Sequence, residues 1–261
     1  MDVTITHIDT ACCLIEVEGC RILTDPVFDL PGHWYHHGWG AFSKKTSTPR
    51  LDAASLGAID LVLLSHHQHK DNLDNAGQTI LDRGMPVVST RAAAKKLPNT
   101  TGLAPWETTE LAINGRKLRI TGTPCRHHPP FLPGFFSGPV TGFVLQWEGC
   151  TEAIYISGDT VLYRPLYEVG NRFSIGIALI HVGRATFPWL TGPGKYTMDG
   201  KDFIKLVEQM HPRVAIPIHN GGWTHFKESD GSLSSKLDHK PATKEIVTFP
   251  GAGVPRSFEL K

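Results

Sequence analysis

The chain has 261 residues, 40% of them hydrophobic, with 26 Lys plus Arg against 25 Asp plus Glu and a formal net charge of +1. That length suits one large α/β domain spanning 1–261, and so balanced a charge favours neither a nucleic-acid backbone nor an anionic membrane face, leaving a small molecule as the expected substrate. No stretch approaches eighteen apolar residues and the start, MDVTITHIDTACCLIEVEGC, lacks a cationic leader, so no integral membrane association is expected. The five cysteines, odd in number and without a CxxC, fit a reducing cytoplasm. Nothing in the sequence sets the oligomeric state.

In chain order, VTITHI (3–8), CCLIEVE (12–18) and CRILT (20–24) read as short strands, the last two joined at Gly19 as a hairpin. Residues 25–42, DPVFDLPGHWYHHGWGAF, form an aromatic, Gly- and Pro-punctuated loop too apolar to be a free linker. IDLVLLS (59–65) is a continuous apolar run, the mark of a strand buried on both faces, and it delivers the histidine-rich stretch HHQHKDN. A helix is predicted over 73–82, a strand over 85–90 and a helix over 91–97 stopped by Pro98. Then come strands KLRITGTP, GPVTGFVLQW and TEAIYISGD, with the loop CRHHPPFLPGFFS between the first two, and the buried strand SIGIALIHV (174–182). MDGKDFIKLVEQM (198–210) places Phe203, Leu206, Val207 and Met210 on one helical face, and RVAIPIHN (213–220) is again a strand. Two groups of strands with interspersed helices predict an α/β chain of α+β type, two sheets covered outside by helices in a four-layer αββα sandwich.

The 14 histidines are numerous and clustered. His67 and His69 lie two apart, so on an extended segment both imidazoles point the same way and can share one ion, and Asp71 continues that spacing. Three more segments end a strand with a ligand-type residue: TPCRHH (His127 ahead of His128), ISGDT (Asp159) and IPIHN (His219). Each has an ordinary reading, Asp159 as a turn cap or His219 as a core histidine, but four such strand ends together point to a metal site.

The succession ILTDPVFD, HHQHKD, TPCRH, YISGDT and VAIPIHNGGW resembles the metallo-β-lactamase superfamily, and within it the branch of ascorbate-6-phosphate lactonases and the phospholipase D that cleaves N-acylphosphatidylethanolamine. The resemblance spans nearly the whole chain and implies the αββα metallo-β-lactamase fold with one or two divalent ions, zinc foremost and manganese or iron open to the second position. It implies His67, His69 and His127 around the first ion, Asp159 bridging, and Asp71 and His219 at the second. Asn72 stands where the family has a histidine, a weak oxygen donor for which His66, His128, His181 or His225 could substitute. A metal-bound hydroxide would then cleave an ester-like bond, lactone or phosphodiester, with Asp71 as the catalytic base; the alternative is a member that keeps metal or ligand but has lost turnover. Aromatics of loops 28–42 and 129–139 are expected to wall the pocket, with Trp34, Tyr35, Phe135, Trp223 and His225 as its contacts, while Arg126, Arg184 and Lys195 could neutralise an anionic group.

Overall fold

A computed structural model describes residues 1–261. The first half builds β1 (Asp2–Asp9), β2 (Cys12–Val17), β3 (Cys20–Thr24), a small hairpin of β4 (Trp34–His36) and β5 (Phe42–Lys44), β6 (Leu61–Leu63), α1 (Asn75–Leu81), β7 (Val87–Thr90), α2 (Arg91–Ala94) and β8 (Thr100–Leu103). The second builds β9 (Thr108–Ile113), β10 (Arg116–Pro124), β11 (Thr141–Trp147), β12 (Ala153–Ile156), α3 (Tyr167–Arg172), β13 (Ile175–His181), α4 (Pro188–Thr191), α5 (Gly200–Met210), β14 (Val214–Ile218), α6 (Asp230–Leu237), α7 (Pro241–Glu245) and β15 (Arg256–Glu259). One sheet runs β15-β1-β2-β3-β6-β7-β8 and the other β14-β13-β12-β11-β10-β9.

The four layers follow from strands that are apolar on both faces. Ile5, Ile15, Ile22 and Leu63 of the first sheet meet Ile120, Leu145, Ile177 and Ile216 of the second in one buried cluster between the sheets. The opposite face of the second sheet, through Tyr155, Ala178 and Ile180, buries Phe203, Leu206 and Val207 of α5 and Leu233 of α6. On the far side, Leu14, Leu23 and Val62 pack on Ile80 and Leu81 of α1. The expected αββα sandwich is the observed fold.

Several local expectations shift. The predicted helix over 73–82 starts at Asn75 because the Asp74 carboxylate caps it, accepting from the Gly77 N–H at 2.7 Å. The predicted helix over 91–97 is a single turn, and loop 25–42 carries the β4–β5 hairpin. Strands β8 and β9 and everything after β14 carried too little periodicity to be anticipated; β9 is an edge strand with alternating exposure and no continuous apolar run.

The β4–β5 hairpin is pinned by Lys45, wholly buried, whose Nζ lies 2.5 Å from Asp9 Oδ2 and 5.4 Å over the Trp223 ring. Asp9 also accepts from Ser47 Oγ at 2.6 Å. Removing one partner strands a buried charge, so Lys45→Met should cost about 3–5 kcal/mol in denaturant unfolding, and Lys45→Met with Asp9→Asn should recover much of it. A double variant no more stable than the single would contradict this.

Candidate metal centre

Strands β3, β6, β10, β12 and β14 all end at one edge of the paired sheets, and that edge is stitched by backbone contacts. Asp25, just past β3, donates its N–H to Leu63 O at 3.0 Å and accepts the Ser65 N–H on Oδ1 at 2.7 Å. Ser65 O accepts from Thr141 N at 3.0 Å, tying the histidine turn to the second sheet. His219 N donates to Thr10 O at 2.8 Å, tying β14 to β1. His219 has φ +63, a left-handed conformation uncommon outside glycine, and Gly183 lies so close that a Cβ there would sit 2.2 Å from His219 O. The backbone is held out of its ordinary range to aim one imidazole inward.

Two buried donor groups result. In the first, His69 Nδ1 faces His66 Nε2 at 2.9 Å and His127 Nε2 at 3.1 Å. His127 Nδ1 lies 3.0 Å from Tyr196 O, a carbonyl that can only accept, so Nδ1 carries the proton and Nε2 presents a lone pair. One nitrogen of His69 has a single proton or lone pair and cannot satisfy two neighbours; one cation among the three can. In the second, His219 Nε2 lies 3.4 Å from Asp71 Oδ2 and 3.3 Å from Asp159 Oδ1. These are close to the roughly 3.3 Å edges of a tetrahedron with ~2.0 Å metal bonds. Both Asp159 oxygens, Asp71 Oδ1 and both His219 nitrogens are buried without a hydrogen-bond partner, so the donor set fits a cation and little else. Asp159 Oδ2 looks back at the first group, 3.7 Å from His127 Nε2 and 3.9 Å from His66 Nε2, as a bridging carboxylate would.

Burial sets the protonation states. It lowers His69 and His219 to about 4, against the opposing pull of Asp71, and lowers His37 to about 4 as well. His66 and His127 fall well below 6.5, by burial and then by the neighbouring His69. The imidazoles are therefore neutral near pH 7, as ligands must be. Burial raises Asp159 well above its ordinary value, reinforced by the charges of Asp71 and Asp25, whereas Asp71 is held well below its own despite burial by the adjacent imidazoles of His219 and His225.

Residues 20–220 match the family described as "Beta-lactamase superfamily domain". The chain belongs to the beta-lactamase superfamily. It is similar to the UPF0173 metal-dependent hydrolase of Thermofilum pendens, 26% identical over 195 residues that cover 74% of this chain and 76% of that protein. It is also similar to that of Carboxydothermus hydrogenoformans, 26% identical over 238 residues, 89% and 91% of the two chains. The isothiocyanate hydrolase from Delia radicum gut bacteria shares the fold, with a TM-score of 0.81 over 98% of this chain and 99% of that one at 20% identity.

One residue expected as a ligand lies outside both donor groups. His67 stands apart, half-buried with neither ring nitrogen partnered, and His66 occupies the first group in its place. The two-apart argument required an extended segment, but β6 ends at Leu63 and the chain turns, with Asn72 and Leu73 N–H both donating to His69 O. On a turn, residues three apart share a face. His69 and His127 fall in the first group, and Asp71, Asp159 and His219 make up the second. Asn72 is buried beside Asp159, its Nδ2 3.3 Å from Ser65 Oγ.

Of the expected pocket contacts, only His225 lines the cavity that opens onto the site. Trp34 is 66% exposed, Tyr35 donates its hydroxyl to Asp29 at 2.8 Å, Phe135 lines a separate groove, and Trp223 is core, its Nε1 on Thr10 Oγ1 at 3.2 Å. Loops 28–42 and 129–139 do contribute, through His37, Trp39, Leu132 and Phe136. A third loop was missed: Ala185, Phe187, Leu190 and Tyr196 complete the wall, and its sequence ATFPWLTGPGKY has the same aromatic, Gly/Pro signature as the first.

Substitution separates the adjacent histidines. His66→Ala should cost the first ion, read as metal per chain after gel filtration, and His67→Ala should leave it in place; the reverse pattern would contradict the geometry. The metal-free fold should also be acid-sensitive in a defined window. Between pH 6.5 and about 4 the unfolded chain binds protons that buried His37, His69 and His219 refuse, so stability is present above 6.5 and lost as pH falls toward 4. The thermal midpoint in chelator should fall across that window; a midpoint flat from pH 7 to 5 would refute the assignment.

Proposed function

We propose that the protein is a metal-dependent hydrolase that opens an ester-like acyl bond, a lactone fitting best, in a small neutral molecule with an apolar part. One observation carries this reading: a cavity of 220 Å³ reaches His69, Asp71 and His127 and is walled by Trp39, Leu132, Phe136, Phe187, Leu190 and Tyr196, with no Lys or Arg in its lining. A phosphodiester would find only the ions to neutralise its charge, with no cationic side chain in the wall to hold it. The nearby basic side chains are engaged or outside: Arg126 stacks on Tyr163 at 5.0 Å, Lys195 pairs with Asp199 and Asp202, and Arg184 is exposed.

Ions bound here would supply Lewis acidity, polarising the scissile carbonyl and bringing the pKa of water to near ~7. His66, His69 and His127 would hold the first, a set of imidazoles that suits zinc; Asp71, Asp159 and His219 would hold the second, where the two carboxylates also admit manganese or iron. Asp71, whose Oδ2 lies 3.4 Å from His219 Nε2, would serve as a ligand to the second ion. The apolar wall orients the substrate's tail and excludes water around the acyl group.

A panel of alkyl and aryl lactones, aryl esters, an aryl phosphodiester and an isothiocyanate tests the reading. Neutral lactones should show the highest kcat/KM, and Phe136→Ala should lower it about tenfold or more with metal content unchanged, given about 1.5–3 kcal/mol for burying a large apolar side chain. Preference for the phosphodiester would overturn it.

A further inference from the structure

We infer that His225 completes the second metal position as its second imidazole ligand, filling the place that Asn72 leaves open. The inference rests on the proposed reading that the group around Asp159 holds an ion, and it names a donor that neither the motif nor the three-residue group contains.

Asp71, Asp159 and His219 offer three protein atoms and only one nitrogen. His225 brings a second nitrogen to the same carboxylate oxygen: its Nε2 lies 3.1 Å from Asp71 Oδ2, which His219 Nε2 approaches at 3.4 Å. Two imidazole nitrogens converging on one carboxylate oxygen at ligand-edge spacing repeat the pattern of the first group, where His66 and His127 converge on His69. The ring is aimed by packing and not by a second hydrogen bond. It stacks on Phe187 at 5.2 Å and 16° and touches Phe226 at 4.3 Å, and its Nδ1 is buried without a partner. It is 3% exposed, which suits a ligand better than a freely swinging acid.

The other histidines are committed. His66 serves the first group, and His128 Nδ1 faces Pro129 O at 2.9 Å. His181 lies between Ser157 Oγ at 3.2 Å and Asp25 Oδ2 at 3.5 Å. His37 faces Ser43 Oγ at 2.6 Å and stands farther from Asp71, at 3.6 Å. The one competing donor is Asn72 Oδ1, buried and unpartnered. Its Nδ2 already donates to Ser65 Oγ at 3.3 Å, which fixes the amide.

The test uses the full chain, stripped with chelator and reloaded with Zn²⁺ or Co²⁺, read by metal per chain after gel filtration, by titration and by the Co²⁺ visible spectrum. Wild type should bind two ions. His225→Phe, which keeps the ring packing, should keep the tight first ion as its own control for folding and weaken the second by about 100-fold or more, with loss of that ion's Co²⁺ bands. Asn72→His in the His225→Phe background should restore the second ion. His225→Phe with two ions at wild-type affinity and an unchanged spectrum overturns the inference, as does loss of the second ion in Asn72→Ala but not in His225→Phe, which would assign the donor to Asn72. Wild type with one ion also overturns it while sparing the first position; wild type with none overturns the metal reading itself.

Discussion

Asp71 and Asp159 are buried with their ligand oxygens within 4.8 Å of one another, and at that separation two carboxylates repel by roughly 3–4 kcal/mol at an effective dielectric of ~20. The neutral imidazoles around them cannot cancel this charge. The rest of the site answers that constraint: His219 is set between the two acids, and His225 and His37 close on Asp71 from the cavity side. A cation among them turns a costly arrangement into a stable one, which is why so many orphaned polar atoms gather at this edge and nowhere else in comparable density.

The fold's part is to bring strand ends together without letting them relax. The sandwich core between the sheets fixes where β6, β10, β12 and β14 stop, and the connections Asp25 to Ser65, Ser65 to Thr141 and His219 to Thr10 cross from one sheet edge to the other. The buried Lys45 and Asp9 pair then anchors the loop that carries His37 next to Thr10. Stability and site geometry therefore share residues: the strand that packs the core also delivers the ligand, and strain at His219 is borne by contacts on both sides.

Much of this was legible in the sequence because apolar runs report burial directly. IDLVLLS, SIGIALIHV and RVAIPIHN each mark a strand buried on both faces, and each ends at the site. His67 misled because period-two alternation was extended past the end of a strand into a turn; Asn72 and Leu73 bonding back to His69 is a three-dimensional fact that the letters HHQHKDN do not carry. The pocket was harder still. Trp34 and Trp39 belong to one aromatic loop, yet only Trp39, at φ +52, folds back over the cavity, a choice made by backbone conformation and not by residue type. His37 and Phe187 lie far apart in the chain and meet only because two loops cross the same edge.

Anomalous diffraction at the zinc edge from crystals of protein purified without chelator would test the central claim most directly. One peak should lie among His66 Nε2, His69 Nδ1 and His127 Nε2 and a second beside Asp71, Asp159 and His219, with Asp159 between them. A site without a peak, or an ion held by His67 in place of His66, would contradict it.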